Sequence, residues 1–302
     1  MTLIKIGISV SSSHKGVSPQ DGADRMVERA SAARQAGLDS LFVGDHHVTP
    51  FPYFQNSVIL ARMLSEWGDK PFGALYLLPL WHPVILAEQV ATLASLSPAP
   101  FILQCGLGDN RQGAAMGINM KQKVGRFISC LEVIRALWQG CSVEENRYWN
   151  LKAAQISPLP IHKIDVWIGS VVEEAIKRTA RVGDGWLASP GLSLDQANQA
   201  IKNYRKYCAL YNRKPVCVIR RDVYVGSTSA QAKKVVSPYI DEGYRGMSPD
   251  ALLYGSVSEV AAKIEVLESQ GFDQIVIRNI SAEQEQCIET IHRFKEVKAQ
   301  LA

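Results

Sequence analysis

The stretch LFVGDHHVTP, residues 41–50, sets Asp45, His46 and His47 side by side behind Gly44, where an apolar run stops. The chain has six histidines, so two in succession behind a carboxylate concentrate its proton-transfer and metal-binding capacity at one point. Three readings fit these residue types. Imidazole and carboxylate bind transition metals; imidazole titrates near neutral pH and suits acid–base work; or the cluster is a polar loop start without chemistry. Side chains alternate along a strand, so His46 shares a face with Gly44, Phe42 and Ser40, while His47 follows Asp45, Val43 and Leu41. The second set suits an outer layer packed against helices, which turns His46 inward. The same alternation pulls the three polar neighbours apart. There is no HxH and no second His/Asp cluster to complete an ion site, and His14, His82 and His162 are isolated. No metal is expected.

Two further stretches offer anion chemistry. Gly106-Leu107-Gly108, followed by Asp109, leaves backbone amides open after a strand. Gly169-Ser170-Val171 precedes a helical pattern whose first turn carries Glu173 and Glu174. Free amides at a helix start bind phosphate, and a serine there can cap or donate. Tight turns alone would also account for the glycines.

Positioning these groups requires a scaffold, and the chain alternates strand-like and helical patterns from end to end. Strands are expected at 3–10, 39–44, 71–78, 101–106, 164–169, 185–189, 216–226 and 273–278. Between them apolar residues recur three and four apart, as in Phe127, Leu131, Ile134 and Trp138. Eight such units predict an α/β fold of the (β/α)8 TIM-barrel type, as a single domain spanning 1–302. An open doubly wound sheet is the rival, but it seldom uses eight units so evenly. Active sites of such barrels lie at the C-terminal strand ends, where Gly44–His47, Gly106–Asp109 and Gly169–Val171 all fall. Gly37-Leu38-Asp39 and Gly271-Phe272-Asp273 echo each other at αβ turns, and Gly183-Asp184 repeats the theme. Those aspartates sit on the opposite, stabilising face and read as structural. Residues 140–160 and 242–254 exceed the simple repeat and form two longer insertions, read either as lids over the mouth or as surface elaboration.

Net charge is +4, from 33 basic and 29 acidic residues, too mild for nucleic-acid binding. The densest basic stretch, 201–214, has the spacing of a solvated helix face. Six scattered cysteines without a CxxC pair suggest a reducing compartment and no disulfide scaffold. No 18-residue apolar run and no signal-like N-terminal pattern is found, which makes a cytoplasmic, non-membrane protein the expectation.

Six segments occur in order: GLDSLFVGDHH, LLPLWHPVILAEQVATLASLS, FILQCGLG, RFISCLEVIRALWQG, VWIGSVVEEAIKRTARVGDGWL and YGSVSEVAAKIEVLESQGFDQIVI. Together they resemble the bacterial-luciferase-like superfamily of flavin-dependent oxidoreductases, over nearly the whole chain. The resemblance implies a TIM barrel with FMN, or a deazaflavin coenzyme, at its C-terminal mouth. It makes His46 catalytic and Asp45 a cofactor or orienting contact. Luciferases carry Glu at that position and many deazaflavin enzymes carry Asp with one His, so Asp45-His46-His47 mixes the two patterns. It also implies a bulge in strand 3 with a non-proline cis bond, best placed at Ala74-Leu75. Gly106, Leu107 and Gly108 would contact the cofactor, Asp109 would match the acid of the deazaflavin branch, and the backbone of Gly169, Ser170 and Val171 would meet its phosphate. The implied activity is a monooxygenase using reduced FMN and oxygen on a small organic substrate. Deazaflavin-dependent hydride transfer and a non-catalytic flavin-binding protein are the alternatives. A flavin reductase and a second copy of the chain, forming a homodimer, are the implied partners. Phe51, Tyr53, Phe54, Trp81 and Tyr148 lie near the mouth in sequence and suggest an alkyl or aromatic substrate.

Overall fold

The computed structural model describes residues 3–302. Its strands are β1 (Lys5–Val10), β2 (Ser40–Val43), β3 (Phe72–Leu77), β4 (Phe101–Gly106), β5 (Val143–Glu145), β6 (Leu151–Ala154), β7 (Asp165–Ser170), β8 (Gly185–Ala188), β9 (Cys217–Val225), β10 (Leu253–Gly255) and β11 (Gln274–Asn279). Helices α1 (Pro19–Gln35), α2 (Asn56–Trp67), α3 (Pro83–Ser95), α4 (Asn110–Ala115) and α5 (Lys123–Trp138) belong to the first half. The second half adds α6 (Glu173–Val182), α7 (Leu194–Leu210), α8 (Ser229–Asp241), α9 (Val257–Ser269) and α10 (Gln284–Leu301). Eight parallel strands follow one another as β9-β11-β1-β2-β3-β4-β7-β8, and β8 pairs back onto β9 to close the barrel. All eight expected strands are present, and β10 adds a short parallel extension beside the upper end of β9.

Alternation along the strands builds two cores. Outward residues such as Ile6, Ile8, Leu41, Val43, Phe72, Leu103 and Val166 pack under the helices. Inward residues Phe42, Ile102, Trp167, Val218 and Val276 fill the barrel as a separate cluster, each contributing about 1.5–3 kcal/mol by burial. The inner layer is tight enough that a Cβ on Gly185 would come within 2.5 Å of the Trp167 ring. Below it, Gln274 Nε2 donates to Ser40 Oγ at 2.5 Å and satisfies two buried polar groups.

The three αβ-turn aspartates tie neighbouring strands together. Asp39 Oδ2 accepts from Ile6 N–H at 2.7 Å, Asp273 Oδ2 from Cys217 N–H at 2.7 Å, and Asp184 Oδ2 from Val166 N–H at 3.1 Å. Gly37 (φ 76°) and Gly271 (φ 98°) take the left-handed turn that lets the aspartate follow so closely.

One expectation needs correction. Ala74-Leu75 is trans: the cis bond among the described residues is Ser157-Pro158, and β3 pairs with β4 in unbroken register from Phe72 to Leu77. Ala74 points outward into the core and Leu75 inward, so a regular ladder already presents Leu75 to the mouth. The two insertions also part ways. Residues 140–160 form the antiparallel β5–β6 hairpin, whose Tyr148 and Trp149 rings pack on the Arg126 guanidinium of α5 at 5.7 and 4.8 Å. Only the 242–254 loop reaches over the barrel interior.

Candidate active site

At the C-terminal mouth lies a cavity of about 330 Å³ lined by the ends of β1, β2, β3, β9 and β11 and by the 242–254 loop. His46 sits on its rim. Its Nε2 is 2.8 Å from an Arg111 guanidinium nitrogen. Guanidinium only donates, so Nε2 must accept and the ring's proton must sit on Nδ1. Burial, and then Arg111, hold the His46 pKa below its ordinary value. His46 is therefore a neutral imidazole at physiological pH, a donor through Nδ1–H. It takes up a proton at Nε2 only by giving up Arg111. Tyr53 packs its ring 5.7 Å from that of His46. Burial, and then Asp45, push its phenol up to about 12, so it stays protonated.

Helix α4 fixes the loop that carries His46. Asp109 is its N-cap: Oδ1 accepts from Gln112 N–H at 2.8 Å and Oδ2 from the Gln112 side chain at 2.6 Å. Gln112 Oε1 in turn accepts from His47 N–H at 2.7 Å, and Arg111 donates to the carbonyls of His47 and Val48. Burial alone would raise the Asp109 pKa, but the Gln112 hydrogen bonds and Arg111 outweigh it and hold the carboxyl below its ordinary range. Asp109 thus positions the loop instead of facing the cavity.

Asp45 is buried, and its Oδ2 accepts from Leu77 N–H and Trp81 Nε1–H, both at 2.8 Å. Its Oδ1 lies 3.1 Å from His47 Nε2 as an ion-pair contact, off the line of a hydrogen bond. Asp45 therefore braces the β2 and β3 ends, and His47 faces Trp81 at 5.6 Å, away from His46. The inward His46 and outward His47 follow the strand alternation.

Among the other expected contacts, Leu75 lines the cavity, and Ala74 offers only its backbone there. Gly106, Leu107 and Gly108 form the β4–α4 turn beside Leu77 and Leu80. Gly169, Ser170 and Val171 lie at the end of β7. The Ser170 hydroxyl bonds Thr179 at 2.9 Å, which leaves the backbone, not the side chain, as its offer to a ligand. The start of α6 has no side-chain cap, so its amides remain open. Val171 and Val172 beside it are exposed.

The cavity also holds residues that the sequence reading did not single out. Arg220 on β9, Arg278 on β11 and Arg245 on the loop line it together with the serines of 9–13. The Arg245 guanidinium donates to Asp222 Oδ2 at 3.1 Å and Tyr244 Oη donates to the same atom at 2.8 Å. Arg220 Nε stands 3.5 Å from Asp222 Oδ1. A signal was present: VIRRDVY puts charges at 220 and 222, alternate positions of a strand that must be buried. Arg221 between them faces outward and holds the Pro190 and Leu192 carbonyls at 2.9 and 2.8 Å. The mouth is consequently basic and polar, and of the five expected aromatics Phe51 and Tyr53 line it. Phe54 packs on His14 instead, and Trp81 on His47 and Tyr76.

The inner surface of the mouth bears buried polar atoms without a hydrogen-bond partner among the described residues: Gln104 Nε2, Arg220 Nε and Arg278 Nε. Gln104 Nε2 fits a flat polar ring such as a flavin, whose carbonyls and ring nitrogens would accept from it. No group of three or more His, Cys, Asp or Glu among the described residues could hold a metal ion.

A family model described as luciferase-like monooxygenase matches residues 4–300. An F420-dependent glucose-6-phosphate dehydrogenase from Kineococcus radiotolerans is 25% identical over 199 residues, which cover 62% of this chain and 59% of that protein. The monooxygenase RslO1 from Streptomyces bottropensis superposes with a TM-score of 0.86 at 18% identity, over 98% of this chain and 99% of the other. The oxygenating constituent of 3,6-diketocamphane monooxygenase from Pseudomonas putida, a type II Baeyer–Villiger enzyme solved with FMN, superposes at 0.81 and 16% identity over 98% of each chain. At these identities the structural likeness establishes the barrel fold.

Proposed function

The chain belongs to the luciferase-like monooxygenase family, and from that premise we propose that it is a monooxygenase acting on a small organic substrate with reduced FMN and oxygen. The observation that carries the reading is His46, a neutral imidazole held by Arg111 at the rim of a polar cavity. The bound flavin would supply the electron chemistry. The chain's own part is to bind, orient and exclude water. Gln104 and the β3 backbone near Leu75 would hold the ring, and the open amides at the start of α6, just after Gly169-Ser170-Val171, its phosphate. His46 Nδ1–H donates to negative charge as it develops on an oxygen of the substrate, without needing to ionise first. Tyr53 stays a phenol and is a second donor beside it.

Deazaflavin-dependent hydride transfer is kept as a second reading because the Kineococcus relative is named for F420 and Asp45 matches that branch. A flavin reductase would supply reduced FMN under the first reading only. Exposed Val58 on α2 (77%) and Ile85 on α3 (47%) support a homodimer through those helices. Among the described residues no helix is long and apolar enough to cross a membrane, which supports action in the cytoplasm.

Titrating the purified protein with FMN and with F420, followed by flavin fluorescence, tests the reading. Tight FMN binding with substrate-dependent oxygen uptake from reduced FMN is the expected result. Binding of F420 alone, with no oxygen uptake, would replace the first reading by the second, and binding of neither would defeat both.

A further inference from the structure

The mouth cavity carries more positive charge than the flavin reading requires. Arg220, Arg278 and Arg245 all line it, and Arg220 and Arg245 contact one carboxylate, Asp222, whose side chain is fully buried. Asp45, the other carboxylate on the lining, is engaged by Leu77, Trp81 and His47. Against the carboxylates of Asp222 and Asp45, the three guanidinium groups leave the mouth one positive charge in excess. The Nε atoms of Arg220 and Arg278 are buried without an acceptor among the described residues, and Asp222 Oδ1 likewise accepts nothing. Buried donors on a charged group are costly to leave unmade, and an uncompensated buried cation more so. The Arg220 and Arg278 groups differ from other incompletely bonded side chains in lining a cavity that an anion can enter.

We propose that the cavity is an oxyanion subsite: Arg220 and Arg278 on the barrel wall and Arg245 on the loop hold a carboxylate, phosphate or sulfonate group carried by the substrate. The assignment rests on the oxidoreductase reading, which makes this cavity the substrate side of the site. Guanidinium forks match such oxyanions two bonds at a time. Asp222 orients the forks before the ligand arrives. Arg245 differs from the other two in sitting on the 242–254 loop with its side chain 38% exposed. Its bond to Asp222 is then exchanged for one to the incoming anion, which draws the loop over the mouth. Burial lowers the Arg220 pKa to about 10, still far above neutral, so its charge is present when the anion binds.

Inorganic sulfate is the probe. Calorimetric titration at constant ionic strength, with chloride as the control, should show saturable sulfate binding to the wild-type protein, both alone and with FMN or F420 bound. Arg245→Ala and Arg278→Gln should each weaken it about tenfold or more, and Arg278→Lys should restore part of it. Arg245 is a loop residue, so its variant remains readable if a wall substitution fails to fold. Absence of saturable sulfate binding, or binding unchanged in Arg245→Ala and Arg278→Gln, would overturn the proposal. Displacement of sulfate by bound cofactor would also overturn it, because the anion would then be the cofactor's own phosphate. Protein that binds sulfate as described but neither cofactor would support the subsite and defeat the flavin reading.

Discussion

Two clusters of cations around one carboxylate sit at opposite ends of the barrel, three on Asp184 and two on Asp222, and their bonding differs. At the N-terminal end Asp184 accepts from Arg135 at 3.0 Å and Val166 N–H at 3.1 Å through Oδ2. Its Oδ1 accepts from Lys163 at 3.1 Å and Arg213 at 3.4 Å. Burial would raise the Asp184 pKa, but Lys163, the Val166 amide and Arg135 outweigh it and hold the carboxyl below its ordinary range. At the mouth, Asp222 has one oxygen bonded and one unmatched, and two arginines keep buried Nε atoms without acceptors. The lower cluster borders the larger cavity, about 420 Å³ against about 330 Å³. Size therefore does not distinguish the working end of this barrel. The bonding of the two carboxylates does: Asp184 has both oxygens engaged by cations and amide, whereas Asp222 has one oxygen hydrogen-bonded.

The contrast predicts that changes at the mouth cost function and changes at the base cost stability. The largest effect is expected from His46→Ala. Turnover should fall by about 10²–10⁴-fold, with cofactor titration and melting temperature close to wild type. An unchanged rate, or a collapse of the fold, would break the division. Next, Asp184→Asn should cost about 2–3 kcal/mol in urea unfolding, since it removes one partner of a mostly buried ionic network, and leave sulfate and cofactor binding intact. Asp222→Asn should also lose stability, but sulfate should restore it. Restoration of both variants, or of neither, would erase the difference between the clusters.

His14 tests whether a depressed pKa by itself marks the site. It is buried after β1, and burial, then Arg29, lower its pKa to about 4. The unfolded chain binds this proton near pH 6.5 and the folded chain only near pH 4. Stability present above about pH 6.5 is therefore lost as pH falls towards 4, by about 2 kcal/mol. Urea midpoints at pH 7 and 4.5 should show the loss, and His14→Gln should shrink it while leaving turnover at pH 7 unaffected. The smallest effect is electrostatic. Arg111→Gln removes a positive charge beside His46 and should raise its pKa, seen as an upward shift in the imidazole NMR titration. No shift, or a downward one, would show that Arg111 does not set the protonation of His46.

Much of the scaffold was legible in the chain. Alternation along residues 40–47 separated inward His46 from outward His47, and the Gly-x-Asp echoes at 37–39 and 271–273 fell on the αβ turns where strands are tied together. Those features depend on neighbours within a few residues, so local pattern suffices. The expected aromatic mouth held for Phe51 and Tyr53 and failed elsewhere for the converse reason. Nearness in sequence to a strand end does not say which way a loop ring turns, and Phe54 turned to His14 while Tyr148 turned to Arg126. The role of Asp109 also depended on a contact three residues on, with Gln112, and on what Gln112 then held.

The amino-acid sequence by itself determined the repeating strand–helix units, the family, and the inward place of His46, because hydrophobic period and strand alternation are short-range properties. Closure of the barrel decided the rest. Arg220, Arg245 and Arg278 come from three separate segments and meet only when β9 and β11 lie beside β1 and the 242–254 loop folds over them, and Arg111 reaches His46 from a fourth. Whether a charge there is a satisfied brace or a waiting ligand depends on distances of a few ångströms between elements far apart in the chain, and only the tertiary structure sets those.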